Sequence, residues 1–285
     1  MVATIIDGKQ LSQQKRSELA KEVEQIKAKG LLPKLVVILV GDNPASVSYI
    51  RGKQKASEEI GVGFKLEHFP STLTEKELLD VIESYNNNDE YHGILVQLPL
   101  PDHINETAVV EKISPLKDVD GFHPINIGRM MTGQETFLPC TPAGIVEMIK
   151  SVGVEIAGKN VVVVGRSNIV GKPVGQLLLN EHATVTYCHS KTNNLSTYTK
   201  EADILVAAVG RANFIKGSDI KQGAVVIDVG VNRLDNGKLC GDVVFDEAKE
   251  IASYVTPVPG GVGPMTITML AHNTVQSAKQ FLNRK

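Results

Sequence analysis

Short, continuous apolar runs alternate with amphipathic stretches along nearly the whole chain. The apolar runs lie at residues 35–41, 64–69 and 93–101 in the first half, and at 160–165, 183–188, 203–210 and 224–230 in the second. The stretches between them, such as residues 9–29 and those after Thr74, have the polarity of surface helices. Strands that are apolar on both faces and separated by helices are typical of a covered parallel sheet. The pattern therefore predicts an α/β fold made of two βα blocks.

The two blocks are expected to form two domains. Runs in the second block recur about every 20 residues, the interval of a doubly wound nucleotide-binding fold. Residues 114–140 are rich in Gly and Pro and are expected to be the irregular passage between the domains. We therefore predict two α/β domains with a cleft between them, over residues 1–120 and 121–265. The second is predicted to be a Rossmann-like doubly wound parallel sheet.

Helices are also predicted on either side of the second block. One is expected to begin near Thr141–Pro142, because Thr is a good N-cap and Pro suits the first turn. An amphipathic helix is expected from about Thr266 to Leu282.

The stretch YIRGKQKA (49–56) contains three cations, and one of them falls on the apolar face of the predicted helix. In a helix over residues 45–60, Tyr49, Ile50, Ala56 and Ile60 share an apolar face, and Lys53 falls near its middle. Arg51 and Lys55 fall on the polar side. Desolvation on the apolar face is expected to lower the pKa of Lys53 and so suit it to proton transfer.

The segment VVVVGRSNIVGKPVGQLL (161–178) is predicted to be a strand, a glycine-rich turn and a helix that together receive a phosphate. It is neither a P-loop nor a G-x-G-x-x-G motif, so a tight βα connection without a ligand remains an alternative. No carboxylate ends the next strand, where NAD-binding folds usually carry one. Arg166, Ser190 and Lys191 could instead bind a 2′-phosphate, which favours NADP, unless these cations simply face solvent.

Three further polar segments are candidates for binding. Gln97 stands in the run GILVQLPLP, at the carboxyl end of a strand where α/β sheets bind ligands, and could accept a hydrogen bond from Lys53. Asp118 and Asp120 have a turn composition, but a carboxylate there could also bind a flat amidine-like ring edge. PGGVGP (259–264) is either a flexible linker or a backbone segment that approaches a flat ligand.

Composition excludes several classes of function. The chain of 285 residues has 42% hydrophobic and 22% charged residues, as a globular protein does, and a net charge of −2 argues against general nucleic-acid binding. No apolar run approaches the roughly 20 residues of a membrane span, and the N-terminus lacks the features of a signal peptide. Cys140, Cys188 and Cys240 are isolated, which predicts reduced thiols in a cytoplasm and no metal site.

Taken in order, the segments SVSYIRGKQKASEEIG, GILVQLPLP, PLKDVDGFHPINIGR, VVVVGRSNIVGKPV, TVTYCHSKT and VTPVPGGVGPMTITML resemble one family. They are similar to the bifunctional methylenetetrahydrofolate dehydrogenase/methenyltetrahydrofolate cyclohydrolases of bacteria. The resemblance implies NADP-dependent oxidation of 5,10-methylenetetrahydrofolate to the methenyl form, which is then hydrolysed to 10-formyltetrahydrofolate. It also implies a folate-binding first domain on which the helix over 266–285 packs, an NADP-binding second domain, a homodimer and a place in one-carbon metabolism and purine biosynthesis.

The same resemblance assigns roles to individual residues. It implies that Lys53 is the catalytic residue, that Gln97 holds it, that Tyr49 packs on the folate and that Asp120 binds the pterin edge. The implied substrate contacts are Tyr49, Lys53, Val96, Gln97, Leu98, Asp120, Pro259, Gly260, Gly261, Val262 and Gly263. The implied cofactor contacts are Gly165, Arg166, Ser167, Ser190 and Val231. The family more often has Ile where Val231 stands.

Two alternatives remain beside this hypothesis. One is a different NADP-dependent oxidoreductase of two α/β domains that acts on a small ketone or keto acid. It would have no use for Lys53, Gln97 and Asp120 together. The other is a nucleotide-binding protein without catalytic activity, for which replacement of Lys53 would leave function intact.

Overall fold

The computed structural model describes residues 2–284, which divide into two compact α/β units. In chain order, the strands are β1 (Thr4–Ile5), β2 (Lys34–Val40), β3 (Gly63–Phe69), β4 (Gly93–Val96), β5 (Asn160–Val164), β6 (Thr184–Cys188), β7 (Ile204–Ala207), β8 (Val225–Asp228), β9 (Asn232–Arg233), β10 (Leu239–Cys240) and β11 (Tyr254–Val255). The helices are α1 (Gly8–Ala28), α2 (Pro44–Ile60), α3 (Glu75–Asn86), α4 (Glu106–Lys112), α5 (Pro124–Met131), α6 (Cys140–Ser151), α7 (Gly171–Asn180), α8 (Leu195–Thr199), α9 (Phe245–Ile251) and α10 (Val262–Leu282). The predicted α/β class is confirmed.

The first unit, called the three-stranded unit, comprises Gln14–Leu138 and the residues from Ile267 onward. Its sheet has the order β3-β2-β4, and both pairings are parallel. The central strand β2 is buried almost throughout, as expected of an apolar run at the centre of a parallel sheet whose two faces are covered. Its core includes Val36 and Ile38, which pack with Leu78 and Ile82 of α3.

The second unit, called the six-stranded unit, comprises the residues up to Gln13 and Pro139–Thr266. Its sheet is parallel, with the order β1-β11-β8-β7-β5-β6. The strand order reverses at β5, since the chain runs from β5 to β6 on one side and then to β7 on the other. A reversal of this kind is the topological switch point of a doubly wound sheet.

Two assignments of segments to the units differ from the prediction. The N-terminal strand β1 pairs with β11, so the first residues join the six-stranded unit rather than the domain predicted over 1–120. Residues 121–138 in turn belong with the three-stranded unit, because Asn273 of α10 donates hydrogen bonds to the carbonyl oxygens of Val119 and Leu138 at 2.9 and 3.0 Å. The boundary therefore lies at Leu138, beyond the predicted residue 120.

Three local predictions were also wrong. Residues 114–140 are not wholly irregular, since α5 forms within them with His123 as its cap. The helix predicted near Thr141 is observed as α6, but its cap is Pro139 rather than Thr141, whose hydroxyl lies 2.9 Å from that of Thr266. Helix α10 begins at Val262, earlier than predicted, because the Gly- and Pro-containing residues 262–264 form its first turn.

Between residues 2 and 284, no helix has both the length and the hydropathy that crossing a bilayer requires.

Candidate functional site

Lys53 is a buried lysine in the three-stranded unit. Only 6% of the residue is exposed, and its Nζ donates a hydrogen bond of 2.8 Å to Oε1 of Gln97. The amide of Gln97 is turned toward Lys53 because its Nε2 donates to the carbonyl oxygen of Leu98 at 2.7 Å. The predicted contact between Lys53 and Gln97 is confirmed.

Lys53 is buried because it lies on the face of helix α2 that packs into the unit. Its buried residues are Ser46, Ile50, Lys53, Ala56, Ser57 and Ile60, the spacing of a single helix face. Asn43 caps the helix through Oδ1, which accepts from the backbone N–H groups of Ala45 and Ser46, and the left-handed Gly61 ends it. Arg51 and Lys55 are exposed, as the helical pattern predicts.

Tyr49 lies one turn before Lys53 and is more exposed than its place on the apolar face suggested. It keeps 37% of its surface accessible. Its ring centroid lies 5.6 Å from Nζ of Lys53, within the range of a cation–π contact. An accessible aromatic face beside a buried amine is a suitable surface for a flat ring system.

Gln97 directly follows β4. Its backbone N–H donates to the carbonyl oxygen of Ile38 at 2.8 Å, so the ladder with β2 extends one residue past the strand. Val96 is buried and Leu98 is half-buried, and the Leu98–Pro99 peptide is cis. The amide therefore stands at the carboxyl end of a parallel strand, which is the binding edge of such sheets.

The turn that carries Asp120 is held by its neighbour Asp118. Asp118 is 2% exposed, and its carboxylate accepts from the backbone N–H groups of Gly121 and His123 at 3.1 and 2.8 Å and from Nδ2 of Asn126 at 2.9 Å. Burial raises the pKa of Asp118 despite these bonds. Asp120 itself is half-buried. The composition of the turn alone did not separate the buried Asp118 from the more accessible Asp120, whereas the family resemblance singled out Asp120.

The glycine-rich turn after β5 is tightly packed in the six-stranded unit. Gly165 has φ +142°, and a Cβ there would lie 2.3 Å from the carbonyl oxygen of Ala208. A Cβ on Gly171 would lie 2.5 Å from the carbonyl oxygen of Gly165. Ser167 Oγ accepts from the backbone N–H groups of Val170 and Gly171, both at 3.2 Å, where α7 begins. Only glycine fits at these two positions, where the turn packs closely before the N-terminus of α7. Such a turn exposes backbone N–H groups, and these suit the binding of a phosphate.

Arg166, Ser190 and Lys191 follow the carboxyl ends of adjacent parallel strands. Val164 of β5 is in register with Cys188 of β6, and the three polar residues just beyond are exposed. His189 orders the second turn, since its Nδ1 accepts from the N–H of Lys191 at 3.1 Å. The residues present fit a dinucleotide at the switch point, with cations rather than a carboxylate after β6.

Val231 and the Pro259–Gly263 segment belong to the same unit. Val231 follows β8 and is 61% exposed. Gly260 has φ +107°, and its carbonyl oxygen accepts from the N–H of Lys9 at 3.0 Å. A Cβ on Gly261 would lie 2.5 Å from the carbonyl oxygen of Pro257. The segment is therefore a fixed turn into α10 rather than the flexible linker of the alternative interpretation.

Across residues 2–284 the structure has no group of three or more His, Cys, Asp or Glu side chains that could hold a metal ion. It does contain a buried carboxylate pair that sequence analysis missed, Asp228 and Asp242. Each follows or precedes an apolar stretch with a nearby glycine, and that combination was the available signal.

Comparison with known proteins gives consistent matches over both units. Residues 6–120 match the family described as tetrahydrofolate dehydrogenase/cyclohydrolase, catalytic domain, and residues 139–282 match its NAD(P)-binding domain. The chain is 71% identical to "Bifunctional protein FolD" of Bacillus velezensis, over 99% of this chain and 100% of that relative.

Solved structures match over the same length of the chain. The crystal structure of the bifunctional enzyme FolD, methylenetetrahydrofolate dehydrogenase/cyclohydrolase, from Campylobacter jejuni is 50% identical with a TM-score of 0.97, covering 99% of this chain and 100% of that one. The Trypanosoma brucei enzyme, solved in complex with NADP cofactor and inhibitor, is 39% identical with a TM-score of 0.95, covering 99% of both chains.

Proposed function

The chain belongs to the tetrahydrofolate dehydrogenase/cyclohydrolase family, and we propose how its own residues carry the two reactions of that family. The dehydrogenase reaction oxidises 5,10-methylenetetrahydrofolate to 5,10-methenyltetrahydrofolate. The cyclohydrolase reaction adds water to the methenyl cation and yields 10-formyltetrahydrofolate and one proton. The family matches favour this function over a keto-acid dehydrogenase or a nucleotide-binding protein without activity.

Lys53 is the proton-handling residue of the hydrolysis. Water that attacks the methenyl carbon must lose a proton, and the ring nitrogen released when the C–N bond breaks must gain one. An amine can accept the first proton and an ammonium can donate the second, provided that it is shielded from bulk water. The observation that carries this assignment is the buried Nζ of Lys53 at 2.8 Å from Gln97 Oε1. The side-chain amide of Gln97 fixes the orientation of the Lys53 amine through this hydrogen bond.

The neighbouring residues bind and orient the folate. Tyr49 offers its accessible ring as a stacking surface beside Lys53. Asp120 accepts hydrogen bonds from the amidine-like edge of the pterin, and Asp118 fixes the turn on which it stands. Val96 and Leu98 supply apolar and backbone contacts on either side of Gln97. Because the carbon that loses hydride lies between two nitrogens, oxidation needs alignment more than a strong base.

NADP+ is the cofactor, and when bound it accepts the hydride. Gly165 and Ser167 bring backbone close to its phosphates, and Val231 contributes an apolar contact after β8. Arg166 and Ser190 receive the 2′-phosphate, because both are exposed at the carboxyl ends of neighbouring strands and no carboxylate competes. Pro259, Gly260, Gly261, Val262 and Gly263 are assigned to substrate contact on family resemblance.

The cellular setting follows from the same assignment. We expect a cytoplasmic homodimer that supplies one-carbon units, among others for purine biosynthesis. The three cysteines are free thiols, as a reducing compartment permits.

A spectrophotometric assay with 5,10-methylenetetrahydrofolate, run separately with NADP+ and NAD+, tests the function. We expect reduced cofactor with NADP+ and then loss of the methenyl product by hydrolysis. Arg166→Ser should lower kcat/KM for NADP+ about ten- to a hundredfold, the loss of charge-assisted bonds to phosphate, and leave NAD+ unaffected. Lys159→Ser, a cation beside the amino end of β5, is the matched control. Equal losses with both cofactors would contradict the role given to Arg166.

A further inference from the structure

Asp242 is a buried carboxylate that binds the backbone of two loops in the six-stranded unit. It is 0% exposed. Its Oδ2 accepts from the N–H groups of Val209 and Gly210 at 2.6 and 2.9 Å. Its Oδ1 accepts from the N–H of Arg211 at 2.8 Å and from Nδ2 of Asn232 at 2.9 Å. One carboxylate thus joins the segment after β7 to the segment after β8.

Asp228 holds Asp242 in turn. It is 3% exposed, and its Oδ1 accepts from the N–H groups of Gly230 and Asp242 at 3.0 and 2.9 Å. Its Oδ2 accepts from the N–H of Val243 at 2.9 Å. Asp228 ends β8, so the rigid strand fixes the backbone that carries the second carboxylate.

Two glycines make this arrangement possible. A Cβ on Gly230 would lie 2.2 Å from Oδ1 of Asp242, and a Cβ on Gly241 would lie 1.8 Å from Oδ2 of Asp228. Both distances are far inside a van der Waals contact, so no larger residue fits at either position without displacement. Backbone and carboxylates therefore form one closely packed unit.

The hydrogen bonds replace a counter-ion. In the part of the chain that the structure describes, Asp242 makes no salt bridge, and its four donors are three backbone N–H groups and one amide. A buried carboxylate is tolerated when its lone pairs are satisfied in this way. Removal of one acceptor oxygen would leave N–H groups unpaired and release the loops that they belong to.

The two loops lie on the binding edge of the sheet. Strands β7 and β8 are parallel neighbours, and residues 209–211 and 229–232 follow their carboxyl ends. Arg166 and Ser190 follow β5 and β6, on the other side of the switch point. A dinucleotide that spans a switch point places its two halves on the two sides, so the β7 and β8 loops face the half that carries the nicotinamide.

We propose that Asp242, held by Asp228, is a positioning residue for the nicotinamide half of the cofactor. It fixes the loops 209–211 and 229–232, and with them Val231, in the arrangement that receives the cofactor. This inference rests on the proposed cofactor site. It assigns Asp242 no direct contact with cofactor or folate.

The test compares three variants of the full-length protein. Asp242→Asn keeps the shape but places an amide donor among N–H donors, and Asn232→Ala removes only one side-chain donor. Asp203→Asn is the matched control, because Asp203 accepts from the N–H of Asn160 at 2.9 Å and pairs with Lys221 at 2.7 Å at the amino edge of the same sheet. The measurements are KM for NADP+, KM for methylenetetrahydrofolate, the cyclohydrolase rate without NADP+, and thermal unfolding.

Asp242→Asn should raise KM for NADP+ about tenfold or more, and Asn232→Ala about two- to fivefold, in proportion to the hydrogen bonds lost. KM for the folate and the cyclohydrolase rate should stay within about twofold, since a loop displacement at one edge leaves the other reaction intact. Asp203→Asn should change none of these kinetic values beyond about twofold.

Two outcomes would overturn the proposal. One is an unchanged KM for NADP+ in a folded Asp242→Asn protein, and the other is a loss of cyclohydrolase activity as large as the effect on NADP+. If Asp242→Asn does not fold, Asn232→Ala decides, because its side chain is only half-buried and its loss leaves no buried charge unpaired. Absence of NADP+ reduction by the wild-type protein would instead contradict the proposed cofactor site.

Discussion

Replacement of Lys53 by Met is the most direct perturbation of the proposed chemistry. Met has a similar length and no branch, so it can fill a position that is 6% exposed without leaving a cavity. Gln97 Oε1 loses a donor, but Gln97 is half-buried and water can replace that donor. We therefore expect the free energy of unfolding to change by no more than about 1 kcal/mol.

The effect on hydrolysis should be much larger than the effect on folding. Positioned acid–base groups contribute about 10²- to 10⁴-fold to a rate, which corresponds to about 3–5 kcal/mol of activation free energy. Cyclohydrolase activity of Lys53→Met should fall by that factor. Oxidation depends on alignment rather than proton transfer, so dehydrogenase activity should fall by less than about tenfold.

The assay follows the decay of methenyltetrahydrofolate absorbance for the cyclohydrolase and the formation of NADPH for the dehydrogenase. Arg51→Met and Lys55→Met are matched controls, because both cations are exposed on the other side of α2. The reasoning is refuted if Lys53→Met keeps more than about a fifth of the cyclohydrolase rate while folded. It is equally refuted if a control loses as much activity as Lys53→Met does.

Three further predictions concern side chains that hold others in place. Gln97→Leu removes the acceptor 2.8 Å from Lys53 Nζ, and the cyclohydrolase rate should fall about ten- to a hundredfold with NADP+ binding unchanged. Asp118→Asn should cost about 2–3 kcal/mol in urea unfolding and raise KM for the folate, because an amide donor replaces an acceptor of N–H groups. Burial, together with the charge of Asp242, raises the pKa of Asp228 from 3.8 to about 6. Because the folded pKa is the higher one, the contribution of Asp228 to stability is fully present below pH 3.8 and is lost as pH rises through about 6, a change of about 3 kcal/mol. The free energy of unfolding of the wild type relative to Asp228→Asn should therefore decrease between pH 4 and 7 in urea titrations. Relative to Asp203→Asn it should instead stay nearly constant over this range, since Lys221 lowers the pKa of Asp203, whose contribution to stability is present above pH 3.8 and is lost only as pH falls below it.

The parts of the fold that sequence analysis predicted well are those determined by local pattern. The helix predicted over 45–60 is observed as Pro44–Ile60, and the strand predicted from residue 160 begins at Asn160. Several residues of one element carry the same hydrophobic pattern, so the prediction of that element does not depend on any single position. The contact between Lys53 and Gln97 was also predictable, because each residue is polar at a position where its element is otherwise apolar.

The elements that were missed depend on partners distant in the chain. Strand β1 consists of Thr4 and Ile5 alone, and it exists because Tyr254 and Val255 of β11 lie beside it. Two residues are too few for a periodicity to show. Helix α5 forms in a segment whose Gly and Pro content suggested a loop, and its cap is a His, a residue not among the usual capping types. Tertiary context outweighs local preference in both cases.

The carboxylates are where sequence and structure diverge most, and they also suggest how the difference could be reduced. Nothing in the residue type distinguishes Asp118, Asp228 and Asp242 from a surface aspartate, yet they are 2%, 3% and 0% exposed. A buried carboxylate without a cation must collect N–H donors, and neighbouring backbone can approach it only where no Cβ intervenes. Each of the three has a glycine within three positions, Gly121, Gly230 or Gly241, and Asp228 and Asp242 also adjoin apolar runs. The same combination also occurs at Asp7 and Asp42, which are exposed, so it selects candidates but does not by itself separate a carboxylate that holds a loop from one that faces water.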